Sequence, residues 1–99
     1  MKVVTLDAYV IDTLLPDLVG HDRSPSAFLV WLVIWRATQK DDGKSTTLSL
    51  RAIAESCGLS KRAVQDAIQR LKRRRLVNVE QESPTAIPVY TPLKPWNRR

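Results

Sequence analysis

The chain has 99 residues, 16 Lys or Arg against 10 Asp or Glu, a net charge of +6 and 43% hydrophobic residues. That length holds one domain, the apolar content excludes a disordered chain, and the basic balance points to an anionic partner. A single Cys (Cys57) and a single His (His21) exclude a disulfide framework and a Cys/His zinc site. The first residues contain no apolar signal-peptide stretch. The longest apolar run, Ala27–Trp35, has 9 residues, where a membrane span needs about 20. The expectation is a reducing, cytoplasmic setting with no membrane partner.

Leu6, Val10, Ile11 and Leu14 form a helical stripe. Thr5 to Leu15 is therefore predicted as a helix, with Pro16 as its stop or the start of a new turn. Asp17 to Arg23 reads as a loop hinged at Gly20. Ser24-Pro25 is a helix start, with Ser24 as cap and Pro25 in the first helical position. This second helix runs to about Gln39 and is apolar on every side between Ala27 and Trp35. A helix apolar all round is buried all round, so either the first helix or a second subunit must cover it. Leu6, Val10, Leu14, Trp31 and Trp35 are the candidate dimer-interface residues. Lys40 to Lys44 is a turn, and Thr46-Thr47-Leu48 is short and β-prone.

Ser49 caps a short helix, Leu50–Cys57, whose inner face holds Leu50, Ile53, Ala54 and Cys57. Gly58 ends it. Ser60 caps a further helix, Lys61 to about Arg74, with Val64, Ala67, Ile68 and Leu71 at helical spacing. Leu76–Glu80 alternates like a strand, residues 81–85 are turn chemistry, and Ala86–Thr91 can return as a second strand. Pro88 cannot donate to a ladder, which would confine that strand to a sheet edge. Residues 92–99 read as an extended Pro-rich basic tail, in which Lys94, Arg98 and Arg99 could serve equally as an arm along an anionic partner or as part of a disordered end.

Charge is concentrated. Residues 44–75 carry 9 basic and 2 acidic side chains, net +7, while residues 1–43 carry 4 and 6, net −2. Within the basic third lies the pattern I-A-x-x-x-G-L-S-x-x-x-V-x-x-x-I-x-x-L, running from Ile53 to Leu71. Ala54 lets two helices approach, Gly58 lets the chain reverse, Leu59 plugs the corner, and Ser60 satisfies free amides. Val64 and Ile68 then pack back on Ile53. This is a helix-turn-helix. From about Ser24 to Thr91 the sequence resembles a winged helix-turn-helix domain of the kind found in small bacterial and phage regulators and replication initiators. The resemblance implies a mainly α fold with a small β-hairpin, α+β in class, with three to four helices and a two- or three-stranded wing sheet. Residues 1–23 would be an N-terminal extension, 24–91 the winged-helix core and 92–99 the tail.

On a helical wheel, Lys61, Arg62, Gln65, Asp66, Gln69, Lys72 and Arg73 lie opposite the apolar arc. The start of a recognition helix reaches base edges. Arg62 and Gln65, then Lys61 and Gln69, are thus the candidate base contacts, Arg suiting guanine and Gln adenine. Lys72, Arg73, Arg74 and Arg75 suit phosphate, as do Ser49, Arg51 and Ser60 at helix starts. The Lys72–Arg75 run also complements the negative end of its helix. Arg62, Asp66 and Arg70 are equally spaced as a surface ion-pair ladder, so Asp66 stands between that role and a cytosine contact. Cys57 reads as a small buried hydrophobe, and no metal or cofactor is implied. The wing tip carries Glu80 and Glu82 and no base, which points it toward packing or a protein partner.

These features predict a non-enzymatic protein that binds double-stranded DNA by sequence, as a homodimeric transcriptional regulator with Lys61–Arg74 as recognition helix. A replication-initiation or partition module is one alternative. A winged helix that binds protein instead of DNA is another. No nucleophile–base set, phosphate-cradling glycine loop or metal cluster supports catalysis.

Overall fold

The computed structural model describes residues 1–97. It is mostly helical with a three-stranded antiparallel sheet. An N-terminal helical segment, Val10–Leu14 and Pro16–His21, leads into α1 (Pro25–Lys40), β1 (Thr46–Thr47), α2 (Leu50–Cys57), α3 (Lys61–Arg73), β2 (Val77–Glu80) and β3 (Val89–Pro92). A 3₁₀ turn, Pro95–Asn97, is the last of the described elements.

The N-terminal segment corrects the loop expected after Pro16. It winds with wide π-type hydrogen bonds, Leu15 N–H to the Val10 carbonyl and Asp22 N–H to the Asp17 carbonyl. Leu15 keeps helical backbone angles, so the segment runs on through Pro16. Pro16 sits at the first position of the second stretch and forgoes one backbone hydrogen bond there. Burial supplies the reason. Val10, Leu14 and Leu18 follow one another at intervals of four and are all buried, so the apolar stripe continues across the proline.

This segment covers α1. Phe28, Val30, Trp31 and Ile34 are buried, Leu32, Val33 and Trp35 are half-buried, and Leu29 alone of the run is exposed. The all-round apolar helix is therefore buried by its own chain. Trp31 is fully enclosed, and its indole N–H donates to the Leu76 carbonyl at 3.0 Å. The Trp35 indole donates to the Thr5 carbonyl at 2.8 Å. Pro25 opens α1 as expected, but the Ser24 hydroxyl makes no cap hydrogen bond.

Ser49 and Ser60 do cap. Their hydroxyls accept from Ala52 N–H at 3.1 Å and Ala63 N–H at 3.0 Å. Gly58 turns the chain at φ 68°, in the left-handed region that glycine enters without steric cost. Ile53, Val64, Ala67, Ile68 and Leu71 are buried together. Cys57 is half-buried against this core, and burial pushes its thiol up, keeping it protonated.

The sheet order is β1-β3-β2. The returning strand is thus central, against the expectation that Pro88 would force it to an edge. The strand begins at Val89, one residue past the proline, so no ladder donor is lost. The Pro88 carbonyl still accepts from Leu48 N–H at 3.3 Å. Tyr90, paired with Thr46 on one side and Val79 on the other, is buried in the core.

The tail is not an extended arm. Trp96 stacks on Tyr9 with ring centroids 4.6 Å apart, and its indole donates to Asp7 at 3.1 Å. The Lys94 ammonium lies 3.2 Å from Asp7 and 4.7 Å from the Trp35 ring centre. Lys94 is therefore engaged in a clasp between the two ends of the chain. Arg98 and Arg99 lie outside the described residues.

Candidate nucleic-acid interface

The interface is built on α3. Its apolar arc points inward, which leaves Lys61, Arg62, Gln65, Asp66, Gln69, Lys72 and Arg73 exposed on the outer side. Arg62 lies 3.6 Å from Asp66, both well exposed. A pair in that setting is worth at most about 1 kcal/mol, so the guanidinium is readily released to another acceptor. Arg51 is similarly paired with Glu55 at 3.2 Å.

The ladder does not extend to Arg70. That side chain turns back to Asp22, 3.4 Å away. Arg74 also reaches Asp22 at 3.4 Å and bonds Asp17 closely. Asp22 is nearly enclosed by these partners. His21, donating to it at 2.9 Å, holds its carboxyl below the usual range, and the Arg74 and Arg70 charges add to this against the opposing effect of burial. The acidic N-terminal segment thus neutralises part of the basic helix. Of the expected phosphate contacts, Arg74 is tied down. Lys72, Arg73 and Arg75 are exposed, with no carboxylate partner among the described residues.

Ser49 is half-buried and Ser60 exposed. Each hydroxyl oxygen is engaged as a cap acceptor, which leaves its O–H proton to donate to a phosphate. Arg75 follows the helix at φ 57° and is exposed.

The wing lies along one flank of α3. Gln65, Gln69 and Lys72 share an open groove of about 280 Å³ with Val79, Gln81 and Tyr90. The Gln81 amide donates to the Ala86 carbonyl at 2.5 Å, which folds the wing tip on itself. Glu80 and Glu82 are exposed. The place of Gln81 beside the helix was not visible in the sequence, because only the β2–β3 pairing brings it there.

The expected dimer-interface residues are placed differently from one another. Val10, Leu14 and Trp31 are buried inside the single chain, and Leu6 and Trp35 are half-buried against its core. Among the described residues, no His, Cys, Asp or Glu cluster is suited to a metal. No helix among them is long and apolar enough to cross a membrane.

A helix-turn-helix domain family matches residues 24–77, from the start of α1 to the first residue of β2. That is more than half of the chain, and the chain belongs to this family. Helices followed by a small antiparallel sheet make it a winged form of the motif. Membership suggests DNA binding in general and is typical of non-enzymatic domains. Comparisons with curated proteins and with solved structures returned no match.

Proposed function

We propose that the protein binds double-stranded DNA by sequence and regulates transcription, with α3 lying in the major groove. The observation that carries this reading is the outer face of α3, where Lys61, Arg62, Gln65 and Gln69 are exposed on a helix anchored by four buried residues. Such a helix presents long donors to base edges on a rigid mount. Lys72, Arg73 and Arg75 follow at its far end, where backbone phosphates lie. Arg51, Ser49 and Ser60 stand at the two helix starts of the motif.

Two-fold pairing on an operator would draw on Ile11 and Leu29, the exposed apolar side chains of the N-terminal segment and α1. Replication initiation or partition would use the same face on repeated sites. The acidic wing, with exposed Ile87 beside it, favours a second reading in which the wing face takes a protein partner.

Selection of duplexes from a random pool tests the proposal. The wild type should enrich one motif and bind it at least about 10³-fold more tightly than unselected duplex. Gln65→Ala should relax discrimination at one base pair, by about 1–3 kcal/mol. No enrichment and no duplex binding at low salt would reject DNA binding and leave the wing-partner reading.

A further inference from the structure

On the flank of α3 away from the wing, a second open groove of about 500 Å³ is lined by Arg23, Ser24, Ser26, Gln69, Arg70 and Arg73, with Asp66 also on it. Arg23 stands 47 and 50 positions before the other two arginines, Arg70 and Arg73, so only the fold brings the three together. Arg70 is partly compensated by Asp22, but Arg23 and Arg73 have no carboxylate within ion-pair distance among the described residues. Like charges gathered without partners repel unless an anion sits between them. The groove also receives the start of α1, a 16-residue helix whose Ser24 hydroxyl is not used as a cap. Its lining is polar, with donors from guanidinium, hydroxyl and amide groups.

Gln69 lines both this groove and the one beside the wing. It therefore marks the crest of α3, with one groove on either side. A helix in the major groove has a phosphate backbone on each of its two flanks. We infer that the groove between the start of α1 and α3 seats a backbone phosphodiester of the DNA strand on that side, held by Arg23, Arg73 and the Ser24 and Ser26 region. This inference rests on the DNA-binding reading and adds to it a contact from outside the helix-turn-helix. Arg23 would be the residue that commits the loop before α1 to DNA.

Arg23 lends itself to a clean test because its backbone is left-handed, at φ 53°. Arg23→Gly suits that conformation and should not unfold the chain, yet it removes the guanidinium. Binding of a mixed-sequence duplex is measured against salt for wild type, Arg23→Gly, Arg23→Lys and Arg62→Ala. The expected result for Arg23→Gly is roughly tenfold weaker binding at low salt and a slope of log affinity on log salt smaller by about 0.9. Arg23→Lys, which keeps the charge, should restore most of the slope. In the wild type, the Ser26 and Ala27 amide resonances should move on adding duplex. If Arg23→Gly keeps the wild-type slope while Arg62→Ala weakens binding, α3 reads DNA but the seat is not used, and the inference fails alone. If inorganic phosphate moves the Ser26 and Ala27 resonances and duplex does not, the groove takes a free anion, which also overturns it. If the wild type binds no duplex at all, the DNA reading and the inference fall together.

Discussion

At the scale of single residues, three serines stand before three helices and do different things. Ser49 and Ser60 accept the backbone N–H three residues on, whereas the Ser24 hydroxyl caps nothing. Ser60→Ala should therefore lose about 1 kcal/mol in urea unfolding, and Ser24→Ala should stay within about 0.5 kcal/mol of wild type. Equal losses at both would contradict the capping assignment. All three serines looked alike in the sequence, since residue type marks a cap position without revealing whether the side chain turns inward to use it. Arg62 and Arg70 show the same limit among charges. Their spacing from Asp66 is identical, but Arg70 finds Asp22, 48 positions away, and that partner has no local signature.

At the scale of elements, the helix-turn-helix was legible because its information is local. Glycine, cap and apolar period lie within about twenty consecutive residues, and α2, α3 and the turn at Gly58 follow from them. The N-terminal segment was legible only as far as Pro16. Its stripe continues to Leu18, but a proline reads as a stop unless one knows that a buried face waits beyond it. The central place of β3 was hidden for a related reason. Pro88 bears on a ladder only if it lies inside one, and strand limits are set by partners elsewhere in the chain. The clasp of Asp7, Trp96, Lys94 and Tyr9 joins the two ends and left no mark in either. It makes a pH prediction. The Trp96 indole, and then Lys94, hold the Asp7 carboxyl below its usual range. The stabilisation is thus fully present above the ordinary carboxylate value, about 3.9, and is lost as pH falls through the lower folded value. Tryptophan emission should shift as the clasp opens in acid, ahead of global unfolding. Asp7→Asn, which loses the charge that faces Lys94, should remove that early step. An emission signal that changes only with global unfolding in both proteins would contradict this role for Asp7.

At the scale of the whole molecule, the charge asymmetry of the sequence becomes an arrangement in space. The acidic N-terminal segment closes over α1 and ties down Arg70 and Arg74, while Lys61, Arg62, Lys72, Arg73 and Arg75 have no partner on it. Burying α1 within one chain leaves α3 and its flanking grooves as the basic face. Whether that face meets DNA is tested most directly by following backbone amide resonances while a short mixed-sequence duplex is added. The account predicts shifts concentrated on residues 61–75, with smaller ones at the starts of α1 and α2 and few on the outer surface of the wing tip. Shifts centred on residues 80–87, or none at low salt, would contradict it.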